Sequence, residues 1–248
     1  MSSDPTSVQA TPFTAPLVPS FPLRMRNTEI LTVIYRTRLE AIERLLPVQL
    51  RATADLVAVH LYRMHDAEWF GVYGESALHI PVEHTSSGTR GVYSPFLFVE
   101  SDGAIAAGRE IYGQPKKGGR IEIAPDGDLL VGRLRRNGID VITATTPYKQ
   151  CRAEAADLSR HVDFATNINL KVIPSVDGTE ASVREITART FSDVELHEVW
   201  LGPATLELRP NAQAPVHLLP VVEVVEGYHW RADFSLVYGT VLEQLERR

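Results

Sequence analysis

The chain has 248 residues, 44% of them hydrophobic and 23% charged, enough apolar material to bury the core of a globular protein. Its formal net charge is −6 and its basic residues are scattered, which argues against a nucleic-acid footprint. No run approaches the roughly 18 apolar residues that a membrane-spanning helix needs, so no membrane partner is expected.

Residues 1–20, MSSDPTSVQATPFTAPLVPS, are rich in Ser, Thr and Pro and lack the basic and apolar regions of a secretory signal. They read as an extended arm on a cytoplasmic chain, followed by a single domain over 21–248. Strand-like segments come next: EILTVIYRT (29–37), LVAVHLYRM (56–64), YSPFLFVES (93–101), RIEIA (120–124) and LLVGRLRR (129–136) are rich in β-branched and aromatic residues. DVITATTPY (140–148), INLKVIP (168–174), REITARTFSDVELHEVWLG (184–202) and ATLELRP (204–210) continue the pattern. Helical signals are fewer. RLEAIERLLP (38–47) places Leu39, Ile42, Leu45 and Leu46 on one face, and the tail FSLVYGTVLEQLERR spaces Leu236, Val237, Val241, Leu242 and Leu245 near the helical period. The expected fold is mainly β (α+β), a large antiparallel sheet curled or closed on itself with a few peripheral helices.

The lone Cys151 excludes an intrachain disulfide and reads as a buried or inert thiol. His60, His65, His79 and His84 lack a metal-ligand spacing, and HEVWL at 197–201 is not the HExxH motif, so no metal site is expected.

One stretch asks for more than packing. GREIYGQPKKGG (108–119) sets Lys116 and Lys117 side by side between Pro115 and the Gly118, Gly119 pair. The plain reading is a solvated turn. The chemical reading starts from the fact that a lysine amine attacks a carbonyl only when neutral, whereas its reference pKa is about 10.4. A second ammonium about 6 Å away, at an effective dielectric near 20, costs the protonated form on the order of 2.8 kcal/mol. Adjacent strand residues point to opposite faces, so the pair can share a pocket only where Pro and Gly interrupt the pleat. Arg109 and Glu110 either line that pocket or form a buried ion pair that shapes it, and Tyr112, Gln114 and Tyr148 are hydrogen-bonding candidates that core packing also explains.

In chain order, VIYRT (33–37), MHD (64–66), YGES (73–76), GRE with PKK (108–117), TATTPYK (143–149), LKVIP (170–174), HEVWLGP (197–203) and AP with LP (214–220) resemble the blocks of the acetoacetate decarboxylase family. The resemblance spans nearly the whole chain after the arm. It implies a β-rich, barrel-like fold, a homo-oligomer, a small keto-acid substrate and no cofactor beyond an imine on lysine. Lys116 matches the imine-forming lysine, Lys117 the neighbour that lowers its pKa, and Glu75 an active-site carboxylate.

Two positions depart from that pattern. Thr28 stands where acetoacetate-specific relatives carry an arginine, and His60 where they carry a second glutamate; Arg24 or Arg26 is the substitute cation if one exists. Neither Thr28 nor His60 supplies the lost charge. The implied activity is decarboxylation of a β-keto acid such as acetoacetate. The alternatives are an aldolase-dehydratase that condenses pyruvate with an aldehyde through the same lysine, and a non-catalytic binding protein of the same fold.

Overall fold

A computed structural model describes residues 16–247, so most of the arm expected over 1–20 lies outside the described residues. In chain order the strands are β1 (Leu23–Arg36), β2 (Leu50–Ala52), β3 (Leu56–Ala67), β4 (Gly71–His84), β5 (Arg90–Val99), β6 (Lys116–Gly118), β7 (Arg120–Asp126) and β8 (Leu129–Arg136). They continue with β9 (Ile139–Pro147), β10 (Cys151–Arg152), β11 (Thr166–Pro174), β12 (Ala181–Thr190), β13 (Ser192–Gly202), β14 (Thr205–Leu208), β15 (Glu223–Leu236) and β16 (Thr240–Gln244). A 12-stranded sheet runs in the order β10, β13, β15, β1, β3, β4, β5, β11, β12, β16, with β2 on β4 and β6 on β5. A 4-stranded sheet runs β14, β9, β8, β7. Pairing is antiparallel except where β5 meets β11 and β6. The large sheet ends at β10 and β16, so its ladder is open where closure into a barrel was expected.

The period-2 alternation of the strands sorts their side chains into separate cores. Leu31, Leu61, Phe98, Leu134 and Val141 belong to one buried cluster, and Met25, Met64, Leu97, Val99 and Phe234 to another. β5 feeds both, sending Phe98 to the first and its neighbours Leu97 and Val99 to the second. The second cluster surrounds the site described below.

Helices are short: α1 (Leu39–Glu43), α2 (Asp102–Ala107) and α3 (Ala155–Leu158). α1 realises only half of the helix expected over 38–47, burying Ile42. The tail is not helical. Thr240–Gln244 pairs with β12, and a Cβ at Gly239 would lie 2.6 Å from the Ala188 carbonyl oxygen, so this tight approach of two backbones holds the tail as an edge strand. Cys151 is exposed, so of the expectation of a buried or inert thiol the burial is corrected.

Candidate active site

Lys116 reaches its position through an irregular approach. Ser101 caps α2, accepting from the Ala104 amide at 3.3 Å, and α2 runs on into a π-helical turn over Gly108–Tyr112. Gly113 ends the turn at φ +80, a conformation that favours glycine, and Pro115 leads into β6. Because β6 pairs in parallel with β5, Lys116 lies opposite Leu97, on the face that carries the second core. Gly108 makes room for it: a Cβ there would lie 2.4 Å from Lys116 Cδ and 2.6 Å from Cε.

Glu75 arrives from β4, where it pairs with Val99 of β5 and Tyr62 of β3. Its neighbour Gly74 is held by Glu100, whose Oε2 accepts the Gly74 amide at 2.7 Å. Lys116 Nζ donates to Glu75 Oε2 at 3.0 Å, and both side chains are largely buried.

The cavity around this pair has a volume of about 40 Å³ and a mostly apolar and aromatic wall that includes Met25, Met64, Leu97, Tyr112 and Phe234. A third charge enters it. Arg189, on β12, is 5% exposed and stacks on Phe191 at 4.1 Å and Tyr112 at 5.1 Å. Its Nη2 donates to Asn167 Oδ1 at 3.0 Å, an oxygen that Gln114 Nε2 also reaches at 3.2 Å. Arg189 Nε and Nη1 are buried without a hydrogen-bond partner among the described residues. Desolvation pulls the Arg189 pKa down, Tyr112 and Glu75 oppose it, and a guanidinium keeps its charge regardless. A buried cation with idle donors is costly unless an anion completes it.

Burial also sets the state of the surrounding rings. It pushes Tyr62 and Tyr73 well up, with the Glu75 carboxylate adding to the effect, and pushes Tyr112 up to about 12. Tyr112 commits its hydroxyl to the Val237 carbonyl at 2.7 Å. Burial pulls His79 down to about 3, helped by Arg189, and pulls His60 well below the usual histidine range, helped by His79. The two imidazoles are 4.8 Å apart and neutral at ordinary pH.

The structure brings together Lys116, Glu75, Gln114 and Tyr112 of the site candidates picked from the sequence and leaves Lys117, Thr28, His60, Arg109, Glu110 and Tyr148 outside the cavity. Lys117 is exposed and donates to the Gln213 carbonyl at 3.1 Å, because the pleat of β6 turns consecutive side chains to opposite faces. The shared pocket expected for the two lysines is therefore absent. Thr28 is fully buried, but its hydroxyl points to Met64 Sδ at 3.5 Å, and Met64 rather than Thr28 lines the cavity. His60 sits one layer back, with Nδ1 2.8 Å from the Thr32 hydroxyl and its ring 5.5 Å from that of Tyr62.

Arg109 and Glu110 face a separate groove. Arg109 is exposed and donates to the Lys116 carbonyl at 3.3 Å, while Glu110 buries an unpartnered Oε2, so the two neither line the lysine cavity nor pair with each other. Arg24 pairs with Asp233 and Arg26 with Asp66, away from the cavity. Tyr148 stacks at 5.6 Å on His229, also elsewhere. Arg189 is the buried arginine that lines the cavity, and its signal in the sequence was only an arginine amid the strand-like run REITART.

The fold thus presents a largely buried amine held by a carboxylate, in a cavity that a second buried cation also lines. The comparisons with known proteins agree on its kind. The family model described as acetoacetate decarboxylase (ADC) matches residues 9–245. Acetoacetate decarboxylase 2 of Mesorhizobium japonicum is 41% identical over 235 residues, covering 94% of this chain and 88% of its own. Acetoacetate decarboxylase of Clostridium acetobutylicum is 36% identical, covering 94% of both chains. The crystal structure of acetoacetate decarboxylase from Legionella pneumophila superposes with a TM-score of 0.89 at 31% identity, over 96% of this chain and 93% of that one. The chain belongs to the acetoacetate decarboxylase family, and with it to the carbon–carbon lyases.

Proposed function

We propose that the protein decarboxylates a β-keto acid such as acetoacetate through an imine on Lys116, without metal or diffusible cofactor. The observation that carries this reading is the 3.0 Å contact between Lys116 Nζ and Glu75 Oε2 inside the cavity. Glu75 is placed to take the proton that the ammonium must lose before the amine attacks the keto carbon. Water leaves the adduct, and the resulting iminium draws in the electron pair of the bond to the carboxylate carbon. Carbon dioxide departs, a proton returns to the enamine carbon, and water hydrolyses the imine to release a ketone and the free amine. Arg189 Nε and Nη1 supply the idle donors that receive the substrate carboxylate, the part that Thr28 leaves vacant. That charge disappears as carbon dioxide forms, so Arg189 serves binding more than the chemical step.

A second reading keeps the same lysine and condenses pyruvate with an aldehyde before dehydration. It is supported by Arg189, whose idle donors suit the carboxylate of an α-keto acid equally well. Borohydride trapping of the wild-type protein with acetoacetate and, separately, pyruvate distinguishes the two. An isopropyl adduct on Lys116 after acetoacetate is expected. A pyruvate adduct without the isopropyl one moves the assignment to the aldolase-dehydratase. An unmodified Lys116 with both acids overturns the imine. A single domain over 21–248, a homo-oligomer and a cytoplasmic place belong to the same reading, supported by the family resemblance and the single cysteine.

A further inference from the structure

Beside the lysine cavity lies a second and larger one of about 330 Å³. Four side chains, Tyr62, His79, Phe191 and Phe234, line both, so the two spaces meet across a partition made of side chains. The outer chamber is walled mainly by apolar and aromatic groups, among them Ile30, Leu158, Phe164, Leu196 and Trp230, with Asp163 exposed at its rim. The partition carries no charge at ordinary pH. Its two phenylalanines are apolar, its one tyrosine, Tyr62, is neutral and polar only at its hydroxyl, and His79 is kept neutral by burial.

Resting on the decarboxylase reading above, we infer that this chamber receives the non-reacting end of the substrate, a β-keto acid whose keto carbon bears an apolar substituent several carbons long. Size is the first argument. A water needs roughly 10–15 Å³ by the same measure, so the lysine cavity of about 40 Å³ has room for about three waters. The smallest β-keto acid, with its methyl end, already fills such a space, and any longer substituent has to cross the partition. Polarity is the second argument. The carboxylate is drawn to Arg189, which stacks on Phe191 at 4.1 Å, and Phe191 also lines the chamber. Arg189 lines the lysine cavity and not the chamber, so the carboxylate stays on the cavity side and the apolar space is left to the uncharged end. Energetics is the third: an apolar chamber of this size left as water loses stabilisation that a hydrocarbon tail restores.

The class of reaction that must supply such a substrate follows from its chemistry: hydrolysis of a 3-oxoacyl ester or thioester, in which water takes the place of the departing alcohol or thiol and leaves the free acid. The product is the corresponding methyl ketone, R–CO–CH₃, formed with one carbon dioxide as one proton is taken up.

The test is a chain-length series, acetoacetate, 3-oxohexanoate and 3-oxooctanoate, assayed for carbon dioxide release and for borohydride trapping on Lys116. Each buried methylene is expected to raise kcat/KM about fourfold, the equivalent of about 0.8 kcal/mol, so that 3-oxooctanoate, with four more methylenes, exceeds acetoacetate by about 250-fold. Ala165→Trp adds bulk at an exposed position on the chamber rim and touches nothing in the lysine cavity. It is expected to remove most of the advantage of the longer acids while leaving acetoacetate unchanged. Trapping by acetoacetate together with a flat or falling series overturns the inference and leaves the decarboxylase reading standing. A flat series with an oligomer that Ala165→Trp dissociates assigns the chamber to a second copy of the chain, and also overturns it. Absence of any adduct across the series removes the imine reading and this inference with it.

Discussion

Lys116 and Lys117 are neighbours in the chain whose amines go to opposite sides of one short strand. Lys116 Nζ meets Glu75 Oε2 at 3.0 Å, and Lys117 Nζ meets the Gln213 carbonyl at 3.1 Å. A strand of three residues is enough to separate them, since consecutive side chains alternate. The separation changes what each variant should do. Lys116→Ala should abolish turnover and borohydride trapping. Lys117→Met should keep kcat/KM within about twofold and leave the pH profile in place, because an exposed ammonium acts weakly across solvent. A displaced pH profile for Lys117→Met would mean that the two charges do communicate.

Gly108 tests the room given to the reactive amine. Its own backbone is ordinary helix at φ −62 and ψ −44, so alanine fits the chain there and should cost the fold little. The new Cβ meets the Lys116 stem instead. Gly108→Ala should lower kcat/KM by about a hundredfold, as expected for a misplaced reacting group, with the thermal midpoint nearly unchanged. An active Gly108→Ala enzyme would show that the lysine stem has slack.

Arg189→Met separates binding from chemistry. Loss of a charge-assisted contact to the substrate carboxylate should raise KM by about 10- to 100-fold and leave kcat within about threefold. Removing a buried cation with two idle donors should not destabilise the fold. A fall in kcat with KM unchanged would instead give Arg189 a part in the chemical step.

His79 ties the site to acid stability. Its folded pKa of about 3 lies below its unfolded value of 6.5, so from pH 6.5 downward the unfolded chain takes up a proton that the folded chain refuses. Its penalty is absent above 6.5 and grows as pH falls towards 3. His79→Gln cannot titrate, so urea midpoints measured between pH 7.5 and 5 should fall less steeply than in the wild type, by up to about 1.4 kcal/mol per pH unit. Parallel curves would show that His79 is solvated.

The strands easiest to read were those with apolar runs between turn signals, and β8 matches LLVGRLRR at 129–136 residue for residue. β4 was not read as a strand: GVYGESALHIPVEH mixes Gly, Glu, Ser, Pro and His into its 14 residues, since it carries Glu75 and His79 as well as core positions. Sites and clean patterning compete for the same residues. The tail shows the opposite error, where hydrophobic spacing suited a helix and pairing with β12 made a strand.

By itself the chain determined its family, most of its strands and the lysine that lines the cavity, because ordered motifs and local turn chemistry are properties of neighbouring residues. Which side chains surround that amine was decided only by the tertiary structure. Glu75 comes from 41 residues away in the chain, and Arg189 arrives on a strand that reaches the cavity through the pairing of β11 with β5. Long-range sheet order sets such neighbours, and no periodicity along the chain encodes it. The same order put Lys117 outside the pocket and brought Arg189 into it.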